Sequence, residues 1–406
     1  MLTRLCVRGF RNLPDLGWDV GPGSHLVGGR NGAGKTSLLE AVYLAATARS
    51  FRTTQIEDCA GRDPAAAAPS PPPRAAADDP VLRGESSTPS AALDSERAAD
   101  RSGSDAAVPS AEFAVRAEVA GPPLAELAVS WGEAGLVRTL DGKTVPLATY
   151  LGVLPVVAWT AREDEILAGV PERRRRMIDG GLVAVRAERI GVLARHRRVL
   201  AHKRELLRRR QPGLEAWNGL FAASAWELVR LRAEWVDRLA THLAETLASA
   251  GCDFPPIALR YEPSPAGALS GVDAIQESLS QAVADEIRLG RPCIGPHLDR
   301  LSILWGDVDV SRVASAGERK ALGLLLAAAQ AALVADVARA PTLLVDDVDA
   351  ELDLEVLGAV WRVLADGRQV VATSSRRDVP EVLEGIAGGL SEWGLEGGEP
   401  VLKSSL

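Results

Sequence analysis

Apolar and polar residues alternate over residues 2–8 (LTRLCVR), and a short apolar run fills 24–28 (SHLVG). Over 35–48 (KTSLLEAVYLAATA) the apolar positions recur every three or four residues. These periods predict two short strands and then a helix, with a glycine-rich loop before the helix. Residues 62–110 turn to Ala, Pro, Ser and Asp, with no aromatic residue and almost no branched aliphatics. Such a stretch cannot bury enough apolar area to offset its ordering entropy, so a disordered surface insertion is expected there. Alternation resumes in EFAVRAEV and ELAVSW, followed by Asp141-Gly142, and predicts antiparallel strands with a hairpin.

From 171 to about 250, Pro and Gly are scarce and the pattern is helical, punctuated at QPG (211–213). A helical arm of two or more long helices is expected, and 251–300 reads as a loop region. A helix over 315–337, a buried strand at 342–345, a helix over 352–365 and a strand at 369–373 then return the chain to α/β layers. The apolar stretch 321–336 contains Gln330 and Asp336 and has 16 residues. A membrane span needs about 20, so a core helix is expected and no membrane partner.

At 406 residues the chain is long enough for two or three structural units. Its first residues show no signal-peptide profile, and a cytoplasmic location is expected. Cys6, Cys59, Cys252 and Cys293 are far apart and lack metal-ligand spacing, so they read as ordinary thiols. The formal net charge of −8 argues against a polyanionic partner only if charge is spread evenly. It is not: 171–210 holds fourteen Lys or Arg against four Asp or Glu.

Gly29-Arg30-Asn31-Gly32-Ala33-Gly34-Lys35-Thr36 fits GxxxxGK[ST] and lies between a predicted strand and a predicted helix. The glycines let backbone N–H groups point at phosphates. The helix N-terminus adds partial positive charge, Lys35 suits the β and γ oxygens, and the Thr36 hydroxyl suits magnesium, with Ser37 completing the cofactor-binding run. Such a loop needs a carboxylate from the end of a buried strand, and Asp346-Asp347 after TLLV supplies two. Asp346 is the candidate magnesium ligand and Asp347 the candidate group that orients or deprotonates the attacking water, so the candidate catalytic set is Lys35, Asp346 and Asp347. A chance glycine turn and an ordinary strand end are the bland alternatives.

Residues 31–52 (NGAGKTSLLEAVYLAATARSFR) resemble the opening of the RecF family. Further matches follow in that family's order: PVVAWTARED and PERRRRMID (155–179), CIGPHLDR (293–300), SAGE (315–318) and VDDVDAELD (345–353). The resemblance implies an α/β ABC-type ATPase head of the kind found in SMC and Rad50 proteins, with a short helical arm inserted. The head would comprise 1–61, 111–160 and 293–406, and the arm 161–292. It also implies an ATP-dependent homodimer in which Ser315, Gly317 and Glu318 of the signature, and Asp353 of the D-loop, meet nucleotide across the interface. The implied role is to bind DNA at single-strand/double-strand junctions and, with RecO and RecR, to support RecA loading and damage signalling, with slow, DNA-dependent ATP hydrolysis. Glu318 stands where the family has Gln, Ala350 where it has Ser and Ala161 where it has Pro, and Leu298 interrupts a basic motif. No Gln lies between Gly152 and Val170 to serve as a Q-loop ligand.

The basic segment offers Arg173, Arg174, Arg175, Arg176, Arg195, Arg197, Arg198, Lys203, Arg204, Arg208, Arg209 and Arg210 as a DNA-binding stripe, suited to phosphate contacts with little sequence preference. A solvated helix face paired with Glu188 and Glu205 is the alternative. Ser315 and Glu318 likewise have the spacing of a helix capping box. A nucleotide-gated DNA clamp with little hydrolysis, and a diverged SMC-like head, remain open beside the repair ATPase.

Overall fold

The computed structural model describes residues 1–61, 111–121, 123–210, 213–384, 386 and 389–405. The expected insertion at 62–110, and residues 211 and 212 of the QPG break, lie outside the described residues. Strands β1 (Leu2–Arg8) and β2 (Leu16–Asp19) pair antiparallel, whereas β3 (Ser24–Gly28) enters another sheet and leads into α1 (Lys35–Thr47). Next come β4 (Ala111–Val119), β5 (Ala125–Gly132) and β6 (Gly135–Leu140), which join β1 and β2 in an antiparallel sheet of order β2-β1-β4-β5-β6. After α2 (Leu147–Leu151), β7 (Val156–Trp159) returns to the sheet of β3.

The arm begins with α3 (Asp164–Leu167) and α4 (Pro171–Val185), and its long elements are α5 (Ile190–Arg209) and α6 (Leu214–Ala250), of 20 and 37 residues. The region expected to be loop instead contains β8 (Ile257–Glu262) and the 18-residue α7 (Val272–Leu289). Only Ile275, Leu279 and Glu286 of α7 are buried, so its apolar stripe is too thin to stand out in the sequence. β9 (Arg300–Trp305) pairs with β8 and with β10 (Val308–Asp309), so backbone hydrogen bonds join the two sides of the expected boundary at 292/293.

The chain closes through α8 (Val310–Val313), α9 (Ala316–Ala335), β11 (Thr342–Val345), α10 (Leu354–Leu364), β12 (Val370–Ser374), α11 (Val379–Glu384), β13 (Leu390–Glu396) and β14 (Glu399–Ser405). The central sheet has the order β14-β13-β3-β12-β11-β7, parallel except for the β14 edge. Every residue of β11 and β12 is buried, as a parallel sheet covered on both faces requires. On one face α1 lies between this sheet and the antiparallel one, which explains why nearly all of its circumference is apolar. On the other face α9 packs on β7, β11, α6 and α10. A side chain at Gly323 of α9 would place its Cβ 2.2 Å from the Trp159 ring, so the helix sits this close to β7 only because the residue is glycine.

Parallel pairing sets Ser374 of β12 opposite Gly28 of β3, and Ala372 opposite Val345 of β11. The ends of β3 and β11 therefore reach the same edge of the sheet, on either side of β12. The carboxyl edge of an open α/β sheet is where ligands bind. No helix among the described residues is long and apolar enough to cross a membrane.

Two histidines, the buried His196 and the half-buried His297, tie the fold to neutral pH. His196 of α5 accepts from or donates to Ser224 Oγ at 3.1 Å, and burial, reinforced by Arg232, pushes its pKa down to about 3. Burial, with Arg204 next, takes His297 down to about 4. Each stays neutral in the fold and protonates near pH 6.5 when unfolded, so the stability they confer is complete above about 6.5 and is lost as pH falls toward these values. Lowering the pH from 7 to 5 is expected to cost about 2 kcal/mol per histidine. Urea unfolding at the two pH values measures this, and a His196→Asn variant should show roughly half the loss.

Candidate nucleotide site and candidate DNA face

The loop after β3 turns through left-handed backbone at Gly32 (φ 83°) and Gly34 (φ 107°), and Gly34 is the residue from which α1 starts. A Cβ at Gly34 would also stand 2.8 Å from Leu13 Cδ2. Glycine is therefore needed twice over at this position. Asn12, in the turn after β1, donates from Nδ2 to the Gly32 carbonyl at 2.9 Å, and its Oδ1 accepts from Ser37 Oγ at 2.7 Å. Ser37 is buried and its hydroxyl is committed to this brace, so any nucleotide contact it makes comes from its backbone. Arg30, Asn31 and Gly32 are exposed at the mouth of the loop, and Ala33 is half-buried. Lys35 Nζ donates to the Gly29 carbonyl at 2.7 Å, so its ammonium stays within the loop.

Thr36 Oγ1 stands 3.1 and 3.0 Å from the two oxygens of Asp346. Asp346 Oδ1 also accepts from Thr373 Oγ1 of β12 at 2.8 Å, and the same Thr373 oxygen accepts the Asp347 N–H at 2.8 Å. One carboxylate and one hydroxyl at this separation suit a magnesium ion that takes its remaining ligands from phosphate and water. Among the described residues there is no cluster of three or more His, Cys, Asp or Glu able to hold a metal unaided. Asp347 adopts left-handed backbone (φ 47°) and points to solvent beside the site. Surrounding protein and the Asp346 charge push its carboxyl above the ordinary aspartate range, against the pull of Lys35.

Four further residues belong to this site: Asn12 and Lys320, which lie outside every motif, and Glu40 and Asp349, which lie inside two of them without an assigned role. Glu40 of α1 is fully buried and takes two hydrogen bonds from Arg11 (3.0 and 2.7 Å), one from Arg52 (3.4 Å) and one from Ser50. It thereby locks the Ser-Phe-Arg segment onto the phosphate-loop helix. Lys320 of α9 is buried, with Nζ 3.5 Å from the Asp346 carbonyl. Asp349 is buried between that turn and the D-loop.

The signature residues are engaged within their own chain. Ser315 caps α9, accepting from Glu318 N–H at 3.3 Å, while Glu318 Oε2 accepts from Ser315 N–H at 2.7 Å. Both halves of the capping box are thus formed. A Cβ on Gly317 would lie 2.7 Å from the Glu351 carbonyl, so the signature abuts the D-loop where only glycine fits. Asp353 caps α10 by accepting from Val356 N–H at 2.8 Å. The Q-loop position has no Gln. Instead Thr160, at the end of β7, is held by Glu163, whose carboxyl burial pushes upward in pKa.

The basic segment is corrected in two places. Arg174 is buried, pairs with Asp309 at 2.7 and 3.0 Å and bonds to the Ile166 and Leu301 carbonyls, so it joins α4 to the small sheet and cannot reach DNA. Against partial burial, the hydrogen bonds from Arg174 and Ser311 hold the Asp309 carboxyl down to about 2. Lys203 is fully buried in an ion pair with Glu286 at 2.8 Å. Arg173 pairs with Glu165, Arg176 with Glu172, Arg195 with Glu227, and Arg208 and Arg209 with Glu205. Arg175 donates to the Asp299 carbonyl at 3.0 Å. Among the described residues, Arg197, Arg198, Arg204 and Arg210 are exposed and pair with no acid.

The chain is 31% identical to the DNA replication and repair protein RecF of Frankia alni, across 95% of this chain and 96% of that protein. It is 30% identical to RecF of Roseiflexus castenholzii, across 93% of this chain and 94% of the relative. No protein-family model matches. Among solved structures, the recombination mediator protein RecF with an ATP analogue, described as part of the RecFOR pathway, superposes with TM-score 0.75 at 19% identity, covering 100% of this chain and 98% of that one. An Smc head bound to the C-terminal winged-helix domain of ScpA superposes with TM-score 0.51 at 14% identity, covering 100% of this chain and 98% of that one. These likenesses identify the fold as that of the RecF and SMC heads.

Proposed function

The chain belongs to the RecF family of DNA replication and repair proteins, and from that premise we propose that it binds ATP with magnesium at the β3 and β11 edge, dimerises around that nucleotide, and holds DNA along its arm. The observation that carries the reading is the Thr36–Asp346 contact across β12, with the loop braced by Asn12. Lys35 would neutralise the phosphates, Asp346 and Thr36 would hold magnesium, and Asp347 would orient the attacking water. When bound, magnesium supplies charge stabilisation on the phosphate oxygens. DNA at single-strand/double-strand junctions, and RecO and RecR in supporting RecA loading and damage signalling, are the partners this reading assigns, in the cytoplasm. Equilibrium sedimentation and gapped-DNA binding, each with and without ATP and magnesium, test it. Expected are an ATP-dependent dimer and DNA affinity that falls steeply with salt; a monomer at saturating ATP would overturn it.

The formed capping box favours a second reading, a nucleotide-gated clamp that turns ATP over slowly. Ser315 and the α9 N-terminus already serve the Glu318 carboxylate, which competes for the positive helix end that a partner's γ-phosphate would use. Glu318→Gln keeps a capping residue and removes the charge. It is expected to tighten the ATP-dependent dimer by about two- to fivefold. An unchanged dimer constant in sedimentation would remove this explanation.

A further inference from the structure

Two threonines stand level with Asp346, one on each neighbouring strand. Parallel pairing sets Ala372 of β12 and Trp159 of β7 opposite Val345 of β11, so the residues that follow them, Thr373 and Thr160, flank Asp346. The register holds to that level, because the Asp346 N–H donates to the Trp159 carbonyl at 2.9 Å. Val157, Trp159, Leu343 and Val345 pack into the core on the α9 side, whereas Ala158 and Leu344 pack on the α1 side. Alternation therefore turns Thr160 and Asp346 together toward α1, where Asp346 meets Thr36.

The two threonines use their hydroxyls differently. Thr373 Oγ1 donates to Asp346 Oδ1 at 2.8 Å, so a threonine at this level can reach the carboxylate. Thr160 is also buried, one strand spacing of roughly 4.8 Å away on the other side. It gives its N–H, at 3.0 Å, and its hydroxyl proton to the same oxygen of Glu163 instead. A turn-capping role accounts for the N–H alone. The Glu163 N–H bonds to the Thr160 carbonyl at 2.9 Å rather than to the hydroxyl, and α3 starts only at Asp164. Thr160 Oγ1 accepts just the Arg162 N–H, at 3.3 Å. A hydroxyl oxygen has two lone pairs, so one acceptor remains beside the candidate magnesium ligand while the proton is committed to Glu163. Magnesium held by one carboxylate and one hydroxyl keeps several waters, and those waters are donors that need acceptors.

We propose that Thr160 is the third protein group of the magnesium site, its hydroxyl oxygen accepting a hydrogen bond from a water on the ion, and that Glu163 is the positioning residue that keeps this oxygen an acceptor. The assignment rests on the nucleotide reading above and gives a group to the place where the chain has no Q-loop Gln. It also explains why a buried hydroxyl is turned away from the nearest carboxylate while its counterpart on β12 bonds to it.

Manganese(II) binding in the presence of a non-hydrolysable ATP analogue, followed as loss of the free-ion electron paramagnetic resonance signal, tests the site without turnover. Thr160→Val keeps the side chain's shape and removes the oxygen, and is expected to weaken ion binding on the order of tenfold, as for other groups behind a metal's ligands. Thr160→Ala carries the same expectation, and Thr160→Ser, which keeps the hydroxyl, should bind the ion as the unsubstituted chain does. Glu163→Gln, whose amide can donate to the Thr160 oxygen, should fall between. Fluorescent-nucleotide titration without the ion should be unchanged in all four and checks the fold. If Thr160→Ser loses as much as Thr160→Val, the hydroxyl is not the cause and the role is wrong. Ion binding undiminished in Thr160→Val and Thr160→Ala, but weakened in Asp346→Asn, overturns the role and leaves the nucleotide reading standing. Ion binding undiminished in Asp346→Asn as well would take down both. Glu163→Gln binding the ion as tightly as the unsubstituted chain removes the positioning part.

Discussion

Asp347→Asn is expected to lower ATP turnover by about 10²- to 10⁴-fold, the usual worth of a positioned general base, with ATP affinity nearly unchanged. The asymmetry follows from position. Asp347 is open to solvent at the edge of the site, one residue beyond the carboxylate that meets Thr36, and makes none of the contacts that shape the phosphate loop. Lys35→Ala should act differently, because Lys35 is buried inside the loop, where its ammonium would meet the phosphates of the proposed nucleotide; ATP binding itself is expected to be lost. Fluorescent-nucleotide titration and single-turnover hydrolysis separate the two. Equal turnover in Asp347→Asn and the unsubstituted chain would remove Asp347 from the chemistry and leave the clamp reading in place.

The candidate nucleotide site was legible because its chemistry is contiguous. A phosphate loop and a strand-end carboxylate are each a local run of residues, and buried strands such as TLLV and VVATS announce themselves by unbroken apolarity. What the chain brings in from elsewhere was not legible. Asn12 reaches Gly32 and Ser37 from another strand's turn, and Lys320 reaches Asp346 from α9, with no spacing in sequence to mark either. The arm shows the limit of counting charge. Arg173 to Arg176 are four successive helical residues, about 100° apart, so together they sweep most of the helix and one must turn inward. Arg174 is that one. Lys203 could have been found, because Leu193, His196, Leu200, Lys203 and Leu207 fall at alternating three- and four-residue steps and form the buried stripe of α5.

That buried lysine carries the largest stability effect expected in the arm. Lys203 and Glu286 are both fully buried, and their 2.8 Å ion pair joins α5 to α7. Glu286 also accepts the Cys293 N–H at 2.9 Å, and the ammonium stands 4.7 Å from the centre of the Phe221 ring. Burial pushes the Lys203 pKa down while Glu286 raises it, so the charged form depends on this one partner. Glu286→Ala strands an ammonium in apolar surroundings and is expected to cost about 3–5 kcal/mol, read as a lower urea midpoint at unchanged slope. The double replacement Lys203→Met/Glu286→Leu removes both charges and keeps volume, and should recover most of that loss. Recovery would also show that Lys203 serves packing, since DNA affinity per folded molecule should then match the unsubstituted chain. A fall in DNA affinity in the stable double variant would instead return Lys203 to the DNA face.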